Sequence, residues 1–250
     1  MYVLTKRFLP SDNGPKAKPA HEGGIMPGFA TMEKSTQYEL RLAERMSRLG
    51  TETAFEVLNK ARALERQGKK IIHLEIGEPD FDTPGNVIEA GVNALHQGWT
   101  HYGPSAGLPE LRQTIAEYVS KTRRVNVSSE EVVVVPGGKP IIFFTMLALV
   151  DAGDEVIYPN PGFPIYESMI NYAGGKAVPI KLREDRDFSL DVDELAGLIN
   201  DRTRLIILNS PQNPTGGVMS RRDIEGVAEA IGDRNVMVLS DEIYSRLLFE

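Results

Sequence analysis

Short apolar runs separated by helix-like segments recur through this chain, and they narrow the folds open to it. Val236-Met237-Val238-Leu239 reads as a strand apolar on both faces, ended by Ser240 and Asp241. Leu205 to Leu208 and Val132 to Val135 repeat the pattern upstream, and Ala177 to Leu182 and Glu155 to Tyr158 read as further strands. Runs that are continuously apolar, and not alternating, belong to strands covered by helices on both faces. Helical segments lie between them: an apolar one through Val150, one opened by Pro161 to Tyr166, one from Asp191 to Asn200, and one from Ser220 to Gly232. Strand and helix alternating at this spacing predict an α/β fold with a mostly parallel sheet.

Upstream the signals are of other kinds. Pro10, Pro15, Pro19, Pro27 and Gly14, Gly23, Gly24, Gly28 break every candidate element over residues 1 to about 35 and predict a disordered tail, with a transit peptide left open. Glu39 to Arg48 predicts a short helix of mixed charge. Thr53-Ala-Phe-Glu56 has the capping-box pattern, and Phe55, Leu58, Ala61 and Leu64 place an apolar stripe on the helix it opens, which Gly68 ends. Ile71 to Glu75 predicts a short strand and Gly77 to Phe81 a loop. Asp82-Thr83-Pro84 predicts a helix start with a capping side chain and Pro84 at the first helical position. After the loop Thr100 to Gly107, a helix from Pro109 to about Lys121 carries Leu111, Ile115 and Val119 on one face.

Composition removes several functions. The chain has 250 residues, 41% hydrophobic and 25% charged, an ordinary globular balance. A net charge of −7 argues against a nucleic-acid footprint. No run of about 18 apolar residues predicts a membrane span. Without cysteine there is no disulfide, zinc-thiolate site or thiol nucleophile. Met1 to Pro10 lacks the apolar core of a secretory signal, so a cytoplasmic protein is expected. His21, His73, His96 and His101 show no metal-ligand spacing, and no Ser–His–acid arrangement is readable.

The polar residues that matter gather at strand ends. In open α/β sheets the ligand crevice lies outside the carboxyl ends of the strands. Asp241 and Tyr244 follow one strand there, and Asn213, before Pro214 in a loop of polar and turn residues, follows another. Together they predict a polar cradle for one small cofactor; singly, a strand-end Asp is as readily the cap of the next turn. Pro136-Gly137-Gly138-Lys139-Pro140 sits between a strand and a helix start, which suits either a tight turn or an anion site on free helix amides. It lacks P-loop spacing, and no G-x-G-x-x-G fingerprint occurs. Phe163 and Tyr166 read either as an aromatic face for a planar ring or as core packing. Tyr102, in a Gly- and Pro-rich loop, reads as a surface or interface anchor, and Lys121 to Arg124 as the solvated end of a helix.

In this order, GEPDFDTP (Gly77 to Pro84), YGPSAGLPELR (Tyr102 to Arg112), PGGK, NSPQNPTG and SDEIY resemble the class I/II aminotransferases of pyridoxal-phosphate fold type I, most nearly the aspartate aminotransferase-like branch. The resemblance runs from about residue 50 to 250. It implies a mostly parallel, mixed sheet with helices on both faces, incomplete at the C-terminus. It also implies an N-terminal extension over 1–48, the N-terminal part of a small domain over 49–86, and part of the large cofactor domain over 87–250. The implied cofactor is pyridoxal 5'-phosphate, the implied substrates an amino acid and a 2-oxo acid, and the full-length protein a homodimer.

The resemblance assigns roles residue by residue. Asp241 pairs with the pyridine nitrogen, and Tyr244 and Asn213 hydrogen-bond the ring 3-hydroxyl. Phe163 stacks on the ring, where many relatives place a larger aromatic. Backbone amides of Gly138 and Lys139 bind the phosphate, and Tyr102 reaches it from a second subunit. Gly77, with Phe163 and Asn213, lies toward the substrate. No metal is implied. The family's Schiff-base lysine, in a short Ser-Lys motif after SDEIY, and its substrate-carboxylate arginine match no position of this chain. The expectation is therefore an N-terminal portion, inactive in transamination by itself and prone to aggregate where a sheet edge is exposed. Two alternatives stand beside it: another pyridoxal-phosphate reaction such as β-elimination, marked by ammonia release without a 2-oxo acid, and a non-catalytic protein acting by binding.

Overall fold

The computed structural model describes residues 40–50 and 53–249, and Leu42–Glu250 forms one compact unit. The tail expected over residues 1 to about 35 lies outside the described residues. So does the side chain of Thr53, on which the capping box depends.

The core is a sheet of 4 parallel strands in the order β2-β1-β3-β4. These are β1 (Glu155–Asn160), β2 (Lys176–Lys181), β3 (Thr203–Asn209) and β4 (Met237–Asp241). β1 and β3 are central, and Val156, Ile157, Leu205 and Ile206 are each 0% exposed. β-branched side chains fill such a two-sided pleat well. Successive residues of each strand serve opposite faces. On one face Val156, Tyr158, Leu205 and Ile207 pack under α4 (Lys139–Leu149) and α5 (Ile165–Ala173), through Ile142, Met146, Tyr166 and Ile170. On the other, Ile157, Ile180 and Ile206 pack under α6 (Val192–Leu198) and α7 (Arg221–Ile231), through Leu195 and Val227.

The chain leaves β1 for β2 by way of α5 on the first face, and leaves β3 for β4 by way of α7 on the second. Neighbouring strands whose connections depart in opposite directions create a crevice at their carboxyl ends. The helix starts behave as their residues predict. Asp191 accepts from the amides of Asp193 and Glu194 at 3.0 and 3.2 Å. Ser220 and Asp223 form a reciprocal capping box, with amide-to-side-chain distances of 2.9 and 3.1 Å. Before the sheet lie α1 (Thr53–Glu65), α2 (Gly85–His96) and α3 (Pro109–Arg123). α3 ends on Arg124, at φ 55°.

Several expectations are corrected. Val132 to Val135 is not a strand: among the described residues no strand lies beside it, and Val134 donates to Ala106 O at 2.9 Å in the loop before α3. Ile71 to Glu75 is likewise irregular, with Ile72 80% and Leu74 89% exposed. An apolar run becomes a strand only where another backbone satisfies its amides and carbonyls. The Glu39–Arg48 helix is a short 3-10 turn, Glu44–Arg48. Pro84 is the N-cap of α2, not its first helical residue, and no side chain caps that end. β4 is an edge strand and not one covered on both faces, with Met237 49% and Val238 41% exposed.

Candidate functional site

The carboxyl ends of β1, β3 and β4 gather the polar residues expected at a cofactor site. Parallel register pairs Asn209, the last residue of β3, with Asp241, the last of β4. Asp241 Oδ2 accepts a hydrogen bond from the Tyr166 hydroxyl at 2.6 Å, and its Oδ1 accepts from the Ile243 amide at 3.2 Å. Both carboxylate oxygens are thus oriented. Tyr166 is 0% exposed on α5. Burial pushes its phenol far above the ordinary tyrosine range, and the Asp241 carboxylate it faces adds to the effect. Its ring also meets Phe163 edge-on, with centroids 5.8 Å apart and planes at 89°. Of the two readings of Tyr166, core packing holds for the ring, while the hydroxyl faces Asp241.

Phe163 is half-buried just after β1. Gly162 precedes it at a close backbone approach, where a Cβ would lie 2.2 Å from Pro159 O. Gln212 ties this loop to the one after β3. Its Nε2 donates to Pro161 O at 2.7 Å and to Asn213 O at 2.8 Å, while its Oε1 accepts from the Thr215 amide and hydroxyl at 2.9 and 2.6 Å. Every polar atom of that buried amide is engaged in holding the loop that presents Asn213.

The glycine turn opens α4. Gly137 has φ +85°, and a Cβ placed on Gly137 or Gly138 would meet nothing within 4 Å. Gly138 is the N-cap of α4 and no side chain caps that end, an arrangement suited to an anion. The Lys139 ammonium lies 5.6 Å from the centre of the Phe55 ring on α1. α4 shares its core with Tyr166 and Ile170 of α5, which holds the glycine turn on the same face of the sheet as Tyr166.

Other candidates lie apart. Tyr102 is fully exposed. Gly77 lies in an exposed loop where a Cβ would meet nothing within 4 Å. Tyr244 is half-buried, near enough to Tyr166 for its charge to influence that phenol. The turn carrying it is braced against α3: Arg123 pairs with Glu242, and Arg246 Nε donates to the Tyr118 hydroxyl at 2.8 Å. Among the described residues no group of His, Asp and Glu is placed to hold a metal ion, and no helix is long and apolar enough to cross a membrane. Reading the sequence missed Asn209, Gln212 and the Tyr166 hydroxyl as parts of the site. The signal was present, since Asn209 and Gln212 stand in the same polar loop as Asn213.

The model for aminotransferase class I and II matches residues 69–250. The chain belongs to this family. Members are pyridoxal-phosphate enzymes. A probable aspartate/prephenate aminotransferase from Aquifex aeolicus is 38% identical over 83% of this aminotransferase-family chain and 53% of its own length. A probable aspartate aminotransferase from Methanocaldococcus jannaschii is 41% identical over 72% of the chain and 47% of its own length. Among solved structures, Thermus thermophilus aspartate aminotransferase with maleate superimposes with a TM-score of 0.81 at 38% identity, covering 85% of this chain and 56% of that one. The chain thus spans about half the length of the curated relatives it matches.

Proposed function

We propose that this chain provides the cofactor-binding portion of a pyridoxal-phosphate-dependent aminotransferase that moves an amino group between an L-amino acid and a 2-oxo acid. The observation that carries the reading is the register pairing of Asn209 with Asp241, which sets Asp241 beside the start of the Asn213 loop at adjacent strand ends. The donor set fits the cofactor. Asp241 offers an oriented carboxylate to a ring nitrogen, and an anion there favours the protonated ring. Asn213 and Tyr244 donate to the ring hydroxyl, and Phe163 covers one face. The amides of Gly138 and Lys139, at the positive end of α4, hold the phosphate. Bound there, the cofactor supplies an electron sink for the substrate's α-carbon.

Gly77 with Phe163 and Asn213 face the substrate in this reading. The proton-moving base is the lysine that the family resemblance places beyond SDEIY. Residues 49–86 belong to the small domain and 87–250 to the large one. The full-length enzyme is a cytoplasmic homodimer in which Tyr102 reaches the partner's phosphate. The full exposure of Tyr102, and the partial exposure of Val87, Ile88, Val92 and Leu95 along α2, support that last assignment.

Equilibrium dialysis against pyridoxal 5'-phosphate tests the cofactor site. Stoichiometric binding that weakens about tenfold or more in Asp241→Ala is expected. Binding indifferent to that substitution, or none at all, contradicts the reading. Assay of the full-length protein with 2-oxoglutarate and a panel of amino acids tests the reaction.

A further inference from the structure

Asn209 is 4% exposed at the last position of β3. Its Nδ2 donates to Asp241 O at 3.0 Å and to Pro211 O at 3.3 Å, and its Oδ1 accepts from the Asn213 amide at 2.8 Å. One flat, rigid side-chain group therefore joins the backbone of Asp241 to the backbone of Asn213. Among the described residues its hydrogen-bond partners are main-chain atoms. Gln212 ties the loop from Ser210 to Thr215 to the one after β1, and Asn209 ties it to β4. A buried amide with donors on one edge and an acceptor on the other holds such a tie, because neither half can move without stranding a buried polar group.

We propose that Asn209 is a positioning residue of the cofactor site, setting the Asp241 carboxylate and the Asn213 side chain at the separation that one pyridine ring's nitrogen and 3-hydroxyl require. This rests on the cofactor reading proposed for the chain. It makes Asn209 responsible for two recognitions at once, and that coupling separates positioning from general support.

The test compares binding of pyridoxal 5'-phosphate with its 1-methyl and 3-O-methyl derivatives, which remove the Asp241 and Asn213 contacts respectively. In Asn209→Ala, binding of the parent cofactor weakens about tenfold, and discrimination against both derivatives falls together by about threefold or more. In Asn209→Asp, which keeps the acceptor for the Asn213 amide but removes the donor to Asp241, discrimination against the 1-methyl derivative falls more. Leu208→Ala is the control for a merely structural loss, and it weakens all three ligands in the same ratio. A further readout needs no variant: in the unaltered chain the Asn209 Nδ2 protons exchange slowly, and their resonance moves as pyridoxal 5'-phosphate is added. Unchanged discrimination in both Asn209 variants, or an unmoved resonance in a chain that binds the cofactor, overturns the inference alone. Failure of the unaltered chain to bind any of the three ligands overturns the cofactor reading with it.

Discussion

The hydroxyl of Tyr166 donates to Asp241 Oδ2 at 2.6 Å, joining residues 75 positions apart. The first sits in the middle of a helix-and-sheet core, the second at the rim of an edge strand. The contact turns a core tyrosine into the support of the Asp241 carboxylate. Tyr166→Phe keeps the packing and removes the donor. We expect a loss of about 1–2 kcal/mol in denaturant unfolding, with weaker cofactor binding. Unchanged stability and binding together would show that the pairing does not matter. Because the phenol is held above its ordinary value of 10.0, its contribution is complete below that pH and is lost as the pH rises beyond it. Tyr166→Phe should flatten that alkaline decline.

Glu155 anchors the opposite end of the sheet. It is 3% exposed, and it accepts from Asn200 at 2.9 Å, Lys176 at 3.0 Å and Arg202 at 2.9 and 3.0 Å. These contacts, the Asn200 amide first, hold its carboxyl down at about 2. A depressed carboxyl stabilises the fold above its unfolded value, so the contribution is lost as pH falls from 4.5 toward about 2. Lys176 and Arg202 stay largely solvated, which limits the damage when their partner is removed. Glu155→Gln should cost about 1–3 kcal/mol at neutral pH and remove the acid dependence in that window. Acid titrations of both proteins by circular dichroism make the comparison.

His73 clips the irregular segment after α1 back onto that helix. Its Nδ1 contacts Glu75 at 2.7 Å and its Nε2 contacts Glu65 at 2.8 Å. The Glu75 contact, then the Glu65 contact, raises its pKa above 6.5. A raised histidine supports the fold below its unfolded value and loses that support as pH climbs through the folded one. Proton NMR should place the His73 midpoint above 6.5 and bring it down in Glu75→Gln. A midpoint unmoved by Glu65→Gln would exclude the clip onto α1.

The outer edge of β4 carries exposed Met237 and Val238, and Ile243, 70% exposed, follows it. Among the described residues β4 pairs with β3 alone. A free edge bearing apolar side chains invites pairing with another chain. This chain should self-associate in sedimentation velocity, and Val238→Lys should shift it toward monomer while changing stability by no more than about 0.5 kcal/mol. Monomeric behaviour of the unaltered chain would refute this.

How far the sequence could be read depended on how local the deciding physics was. Leu205 to Leu208 and Glu155 to Tyr158 announced strands because both faces of those residues are buried, and burial writes itself into a continuous apolar run. The caps at Asp191 and Ser220 concern neighbours within one helical turn, so their residues were enough to place α6 and α7. Val132 to Val135 carried the same apolar signal and failed, because strand identity also needs a partner backbone, which composition cannot supply.

The site divides along the same line. Asp241 and Asn213 could be picked out in the sequence because each lies at or just after the end of a strand, and the glycine turn because it breaks the chain before a helix. That Tyr166 points its hydroxyl at Asp241, that Gln212 joins the loops after β1 and β3, and that Asn209 bridges Asp241 and Asn213 were decided by tertiary structure alone. Most of these contacts link residues far apart in the chain, across strands whose order β2-β1-β3-β4 differs from their order in sequence. A side-chain hydrogen bond acts over a few ångströms, and only the folded sheet brings its donor and acceptor within that reach.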